Sequence, residues 1–308
     1  MNVNRASFST KARTWLLLAA LTALFIGVGA AIGGAFLWLF VAFSVIMNFA
    51  AYWASDKFAI AAARAKEVSE AEAPEIHHLV SELAQLYDVP KPRVYLIPSD
   101  QPNAFATGRN PEHSAVAVTQ GLLQYMPRDQ VRGVLAHEFG HIKNRDILVS
   151  SIAAMIAGAI SAVGNIFFFA AMFGDERDNP LGAIGALATI IIAPLAATLL
   201  QLAVSRQREY LADATGAQLL GRAAPLADAL ETLERGTQAL PMNVNPATAS
   251  LYAANPLPRQ GLSTLFMTHP PMAGRSPARS TASSIGAPST SARRRTRCAS
   301  GTSARARR

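Results

Sequence analysis

The sequence predicts an α+β protein that is mainly helical, with two helical hairpins in a membrane and a small sheet-plus-helix domain beside them. Charged residues make up 16% of the 308 residues and hydrophobic residues 51%, whereas about 25% of an average soluble protein is charged. The hydrophobic residues are concentrated in long uncharged runs, which are typical of membrane segments. Between these runs lie short alternating segments that predict β-strands.

The runs divide the chain into six segments. The predicted boundaries are a cytoplasmic N-terminus at 1–14, a first membrane hairpin at 15–54, the first part of the polar domain at 55–146, a second membrane hairpin at 147–204, the second part of the polar domain at 205–271 and a disordered basic tail at 272–308.

The first hydrophobic run is too long for one membrane helix of about 20 residues and fits two. A break at Ile32-Gly33-Gly34 predicts a hairpin. Three basic residues precede the run, as in a signal peptide, but no small-residue cleavage site is followed by a polar start. Two anchoring helices are therefore expected.

The polar segment that follows predicts a small layer of helices and strands. The expected elements are an amphipathic helix at 69–87, with apolar Ile76, Leu79, Val80, Leu83 and Leu86, strands at 93–98, 103–108 and 114–119, and a helix from near Pro127 to about Asp146.

Two further hydrophobic runs, 147–173 and 181–204, flank a short acidic loop and predict a second membrane hairpin. Small residues at Gly158, Ala162, Gly182 and Gly185 would allow close helix packing. The alternative is a buried helical hairpin in a soluble core. Basic clusters flank both hairpins on one side, so the positive-inside rule places the polar domain in the cytoplasm.

The net charge of +8 comes from the C-terminal tail, whose nine arginines and no acids leave the rest of the chain at −1. The body is therefore not expected to bind nucleic acid. The tail lacks periodicity, which predicts disorder. A frameshifted end and a native tail that contacts anionic lipids remain alternatives. The single cysteine, Cys298, excludes a disulfide framework and a Cys-based metal site.

His137-Glu138-Phe139-Gly140-His141 is an H-E-x-x-H motif inside the last predicted helix of the first polar segment. Residues four apart share one helix face, so both imidazoles can bind one zinc ion at about 2.0–2.1 Å. Glu138 follows the first ligand directly and can accept a proton from a water that the metal activates. The alternative is two surface histidines on an ordinary helix.

A catalytic zinc site needs a third protein ligand. Glu209 and Asp213 are four residues apart on a predicted helix, so Glu209 can bind the metal while Asp213 holds a ligand histidine. The alternative is a solvated charged helix with Arg–Glu pairs. A hairpin between His141 and Glu209 returns the chain to the face it left, which favours the metal site.

With these residues, the chain resembles the HtpX-type membrane metalloproteases of family M48 over about Trp15 to Pro271. The matching segments are Asn103-Ala104-Phe105-Ala106-Thr107-Gly108, the His137–His141 motif with Asn144-Arg145-Asp146, the Ser205–Asp213 segment and Thr268-His269-Pro270-Pro271. The chain departs from the family after Arg275, where Ser276-Pro277 replaces an expected helix.

The resemblance implies a zincin-like catalytic domain with one Zn²⁺ per subunit, bound by His137, His141 and Glu209. Glu138 is then the base and Asp213 a supporting residue. The implied role is the hydrolysis of misfolded or damaged membrane proteins at the cytoplasmic face of a bacterial inner membrane, as part of stress response and quality control. Unfolded polypeptides and the lipid bilayer are the expected partners, with no nucleic acid and no small-molecule cofactor.

Two further expectations concern substrate binding. If the strand containing Asn103, Ala104, Phe105 and Ala106 is a sheet edge, an extended substrate can pair with it through backbone hydrogen bonds. His269 either contacts substrate or the developing oxyanion, or is a structural histidine in a turn.

The two alternative functions are a site-2-type intramembrane protease and a non-enzymatic membrane scaffold with a structural zinc. A site-2-type intramembrane protease carries a similar motif, but its catalytic helix should be apolar throughout. Here charged residues bracket the motif, and a Leu-Asp-Gly ligand segment is absent. A scaffold with a structural zinc would have no need for Glu138, which is not a ligand.

Overall fold

The computed structural model describes residues 3–32, 34, 36–158, 206–221, 224–240, 242, 244 and 246–256. Within these ranges the chain is mainly helical with one small mixed sheet, which confirms the predicted α+β class at that level. The predictions for most of the second hairpin, its acidic loop, His269 and the basic tail lie outside the described residues.

The described part of the chain begins with two long helices, which are followed by the strands and the shorter helices. The elements are α1 (Val3–Ile32), α2 (Phe36–Ala62), β1 (Lys66–Glu67), α3 (Pro74–Tyr87), β2 (Arg93–Ile97), β3 (Ala104–Gly108), a 3₁₀ turn (Pro111–His113), β4 (Ser114–Thr119), α4 (Gln120–Tyr125) and α5 (Arg128–Asn144). They continue with α6, described over Ile147–Gly158, then α7 (Arg206–Leu220), α8 (Ala224–Ala239) and α9 (Pro246–Ala249).

Helices α1 and α2 form the expected hairpin and turn at Gly34, whose φ of +61° favours glycine. Asn48 on α2 donates a hydrogen bond of 2.6 Å to the Thr22 hydroxyl on α1. Helix α6 packs against the pair, and the added Cβ of a residue at Gly158 would lie 2.4 Å from the Phe58 ring. Close packing at Gly158, predicted from its small size, is thus seen against α2.

Among the described residues, one helix is long and apolar enough to cross a membrane. It covers Leu37–Ala62, and only 11% of its most apolar stretch of 18 residues is buried inside the protein. Shorter apolar helices cover Thr14–Gly27 and Ile147–Gly158. The length and composition of α2 therefore suit a membrane span.

The sheet has the strand order β1-β2-β4-β3. Strands β2 and β4 are parallel, and the β1–β2 and β3–β4 pairs are antiparallel. Alternate residues face two different cores: Val116 and Val118 pack towards α3, α5 and α8, whereas Ala115 and Ala117 pack towards α2 and α6. Both faces are covered, which is why β4 is buried along its whole length.

Three parts of the polar segment differ from the sequence-based expectation. Helix α3 begins at Pro74 and not at 69, because Glu72 accepts hydrogen bonds from the backbone and hydroxyl of Ser69 and closes a separate turn. Its buried face includes Tyr87, whereas Leu86 is 37% exposed. Strand β1 and helix α4 were not predicted, because two and six residues are too short for a periodic pattern.

Candidate metal centre and active site

Helix α5 carries both motif histidines on one face. His137 is fully buried and His141 is partly exposed, and their Nε2 atoms lie 3.1 Å apart. Tyr87 fixes the helix from α3, since its hydroxyl donates a 2.6 Å hydrogen bond to the Ala136 carbonyl and its ring packs on Phe139. The four-residue spacing thus gives the paired imidazoles that the sequence predicted.

Helix α7 brings Glu209 to the same point. Its backbone approaches α5 so closely that a Cβ added at Gly140 would lie 2.9 Å from both the Cα and the carbonyl oxygen of Ala212. Only glycine at the fourth motif position leaves room for this contact. The close approach of the two helices is what places Glu209, 68 to 72 residues further along the chain, beside the histidines.

Within the part of the chain that the structure describes, His137, His141 and Glu209 form a group that could hold a metal ion. The His137 Nε2–Glu209 Oε2 and His141 Nε2–Glu209 Oε1 distances are 3.5 and 3.8 Å. Two ligands at about 2.0–2.1 Å from a tetrahedral zinc ion lie about 3.3–3.4 Å apart. The three observed separations lie close to that length, so the residues fit a four-coordinate metal with one position left open.

A carboxylate holds the outer ring nitrogen of each histidine. Asp213 Oδ1 lies 2.9 Å from His137 Nδ1, and Asp146 Oδ1 lies 3.1 Å from His141 Nδ1. With the proton on Nδ1, both Nε2 lone pairs point at the candidate metal position. Burial lowers the pKa of His141, but the charges of Asp146 and Glu209 raise it by more, so that the pKa lies above its ordinary value.

Asp146 is the site residue that sequence reasoning missed. It stands five residues after His141, outside the three- or four-residue spacing of neighbours on one helix face, and helix α5 ends just before it. Arg145 adopts a left-handed conformation with φ +58°, and the Asp146 N–H then donates back to the His141 carbonyl at 3.2 Å. This reversal turns the Asp146 carboxylate onto the imidazole. An Asp directly after the end of the motif helix is the sequence signal that could have indicated this role.

Glu138 is buried between the histidine pair and the sheet. Its Oε2 accepts a 2.7 Å hydrogen bond from the Ala106 N–H on β3. Burial raises the pKa of the Glu138 carboxyl, against the opposing influence of His137, His141 and the Ala106 N–H. A raised pKa suits a carboxylate that takes up and returns a proton near neutral pH.

Strand β3 is the edge strand of the sheet beside Glu138. The outer side of its first residue is already occupied, because Ala253 N–H donates to the Ala104 carbonyl at 2.9 Å. Asn103 lies outside the strand, and its side-chain amide donates to the Ala254 carbonyl at 2.8 Å. Asn103 therefore binds the segment around Ala254. Of the predicted substrate segment, the later residues of β3 remain as candidates for pairing with a substrate.

Comparisons with known proteins agree on one family. The family model described as Peptidase family M48 matches residues 70–279. A protein named Protease HtpX homolog from Pelotomaculum thermopropionicum is 48% identical over 268 residues, which are 85% of this chain and 95% of that protein. Proteins of the same name from Syntrophobacter fumaroxidans and Pyrococcus furiosus are 50% and 48% identical, over 84% of this chain in both and over 95% and 91% of theirs.

A solved structure shows a more distant likeness. The crystal structure of S. mikatae Ste24p aligns with a TM-score of 0.48 at 20% sequence identity, over 89% of this chain and 66% of that one. The family assignment rests on the sequence matches, which cover the histidine motif, Glu209 and both supporting carboxylates. The chain belongs to peptidase family M48, because the family model matches more than half of its length and its relatives are near 50% identical to it.

Proposed function

We propose that the protein is a zinc-dependent endopeptidase that hydrolyses misfolded or damaged membrane proteins at the cytoplasmic face of the bacterial inner membrane. The observation that carries this proposal is the convergence of His137, His141 and Glu209 at separations that suit a tetrahedral ion, directly beside the buried Glu138. Zinc bound there supplies Lewis-acid chemistry that acidifies water and polarises a peptide carbonyl.

The chain's own residues then divide the remaining tasks. Asp213 and Asp146 keep the protons of His137 and His141 on Nδ1 and leave both Nε2 atoms free to bind the metal. The Glu138 carboxylate takes the proton of the attacking water and delivers it to the amide nitrogen as the C–N bond breaks. The products are one new carboxylate and one new amine.

The residues of β3 that follow Ala104 are the proposed site for the substrate backbone. The outer edge of β3 faces Glu138, and the Ala106 N–H points out of the sheet towards that carboxylate. Pairing along an edge uses backbone groups, which every polypeptide has, so it gives affinity with little sequence preference. Such tolerance suits an enzyme whose substrates share damage and not a sequence.

The membrane location is supported by the α1–α2 hairpin and by the charges around it. Helix α2 is apolar and mostly exposed within the described chain, as a lipid-facing helix should be. The basic clusters on one side of both predicted hairpins support a cytoplasmic site. The enzymatic site then lies at the membrane surface, close to the α1–α2 hairpin.

Zinc content and proteolysis measured on the same preparations test this proposal. We expect about one zinc per chain in the wild type, loss of both zinc and casein cleavage in Glu209→Ala, and recovery of chelator-treated wild type by added zinc. Glu138→Gln should keep its zinc while cleavage falls by about 10²–10⁴-fold, because the proton acceptor is lost and the ligands are not.

Glu231→Ala on the exposed face of α8 is the matched control for charge loss, with zinc and activity unchanged. Zinc retained at full occupancy in Glu209→Ala would remove Glu209 from the ligand set. Equal cleavage by Glu138→Gln and wild type would remove the enzyme proposal itself.

A further inference from the structure

A cavity of about 580 Å³ lies where the end of α2 meets the start of β2 and the turn between β3 and β4. It is separate from the metal centre and shares no residue with it. Four cations and two carboxylates line it: Lys57, Lys91, Arg93, Arg109, Asp56 and Glu112. The lining is therefore net positive, in a part of the chain whose overall charge is close to neutral.

Two of these cations are engaged by carboxylates. Arg93 pairs with Asp56 at 3.5 Å, and Lys91 pairs with Glu70, which lies outside the cavity. No ion pair within the described ranges involves Lys57 or Arg109 at 4.0 Å or less. The Arg109 guanidinium instead lies 4.6 Å from the centre of the Trp53 ring, which orients it by cation–π attraction. Glu112, the remaining carboxylate of the lining, forms no ion pair with it at 4.0 Å or less.

The same cavity borders an apolar stripe on α2. Phe49, Trp53 and Lys57 are spaced four residues apart and so share one helix face. Phe49 is 65% exposed and Trp53 47%, and their rings lie 6.0 Å apart. Along α2 the stripe passes from an apolar ring to an indole and then to a cation. That order matches the change from hydrocarbon to headgroup at a membrane surface.

We propose that this cavity binds the phosphate of an anionic phospholipid, with its acyl chains lying along Phe49 and Trp53. Lys57 and Arg109 supply the positive charge, since basic pockets beside membrane helices bind anionic headgroups. The proposal rests on the membrane location given above. It adds a specific lipid class and a site that the peptidase reaction does not require.

The position of Arg109 gives the lipid a structural effect on the substrate strand. Arg109 directly follows Gly108, the last residue of β3, where φ is +142° and an added Cβ would lie 2.4 Å from the His113 carbonyl oxygen. This turn is tightly constrained. A phosphate held by Arg109 therefore anchors the β3–β4 turn to α2 and restrains the end of the edge strand.

Lipid binding to the full-length, detergent-solubilised protein tests the site. Dioctanoyl phosphatidylglycerol, dioctanoyl phosphatidylcholine and inorganic phosphate are the three probes, with bound lipid counted by native mass spectrometry and thermal unfolding followed in parallel. We expect a rise in Tm with phosphatidylglycerol alone. Lys57→Gln/Arg109→Gln should bind it about 30-fold more weakly, and Arg109→Gln alone about 5-fold, at about 1 kcal/mol per cation.

Arg128→Gln, which removes an exposed cation at the start of α5 outside the cavity, is the matched control and should bind like wild type. Arg109→Lys keeps the charge and should keep most of the binding, which separates charge from folding damage. Equal effects of both lipids, an equal effect of inorganic phosphate, or unchanged binding by the double variant would each overturn the proposal.

Carbonate extraction of membranes that contain the same variants separates this proposal from the function above. A wild type released by carbonate would contradict the membrane location. A wild type that stays in the membrane, yet shows no preference for phosphatidylglycerol, would overturn the lipid site and leave the peptidase proposal intact.

Discussion

Each histidine of the candidate centre is paired with its own carboxylate, and the two carboxylates come from different elements. Asp213 lies one turn after Glu209 on α7, so a single helix supplies both a ligand and a support. Asp146 follows the end of α5 and is 2% exposed. The two carboxylates therefore orient both imidazoles towards the candidate metal position.

Asp146 matches the family's sequence, but its support of His141 is seen only in the structure. Asp146→Asn keeps the shape of the side chain and removes its charge, so the His141 imidazole becomes less basic. We expect zinc affinity to fall by about 10–100-fold, the usual cost of losing a supporting partner. Competition with a chromophoric chelator measures it. Asp129→Asn, exposed in the first turn of the same helix, should leave affinity unchanged.

At the scale of elements, the site depends on how closely α5 and α7 approach. Gly140 stands at the tightest point, against the backbone of Ala212. Backbone atoms cannot move aside as a flexible side chain can, so any Cβ at position 140 must push the helices apart. The glycine of the motif therefore has a packing role, in addition to the chemical roles of its neighbours.

Gly140→Ala should accordingly weaken zinc binding by about 10-fold or more, since overpacking costs about 1–3 kcal/mol and displaces Glu209. Gly216→Ala on the same interface is the control. There an added Cβ would meet its nearest atom, Leu226 Cδ2, at 3.4 Å, close to ordinary contact, and helix propensity gains up to about 1 kcal/mol. Equal zinc affinities for the two variants would contradict the packing explanation.

The edge strand gives a second prediction at this scale. A peptide that the wild type cleaves is mapped by mass spectrometry and resynthesised with single N-methyl groups along its backbone. Methylation at residues that pair with β3 should lower kcat/KM by about 10-fold, because each removes a donor worth about 1 kcal/mol and adds a clash. The effect should alternate along the peptide. A uniform effect along the peptide would argue against strand pairing.

At the scale of the whole molecule, the sheet joins the peptidase site to the α1–α2 hairpin. One face of the sheet supports α5, and the other rests on α2 and α6. A buried hydrogen bond of 2.7 Å between the Thr107 and Ser151 hydroxyls connects β3 to α6. The hairpin and the site are therefore parts of one packed body within the described chain.

The orientation of the chain in the membrane can be tested by labelling single cysteines on either side of it. In a Cys298→Ser background, Gln124→Cys on exposed α4 and Asp178→Cys in the acidic loop receive a membrane-impermeant maleimide. We expect position 178 to react in spheroplasts and position 124 only after lysis, because the proposed orientation keeps the basic clusters of both predicted hairpins in the cytoplasm. Labelling of both positions in spheroplasts would overturn the proposed orientation.

The sequence by itself determined the helical hairpin at Gly34, the α+β class, the paired histidines on α5 and the family. These features depend on local spacing, hydrophobic periodicity or residue identity, all of which can be read along the chain. The supporting role of Asp146, the Gly140–Ala212 contact and the capture of the β3 edge by Ala253 were decided only by tertiary structure. Each depends on a chain reversal or on contact between distant segments, and neither leaves a periodic pattern in the sequence.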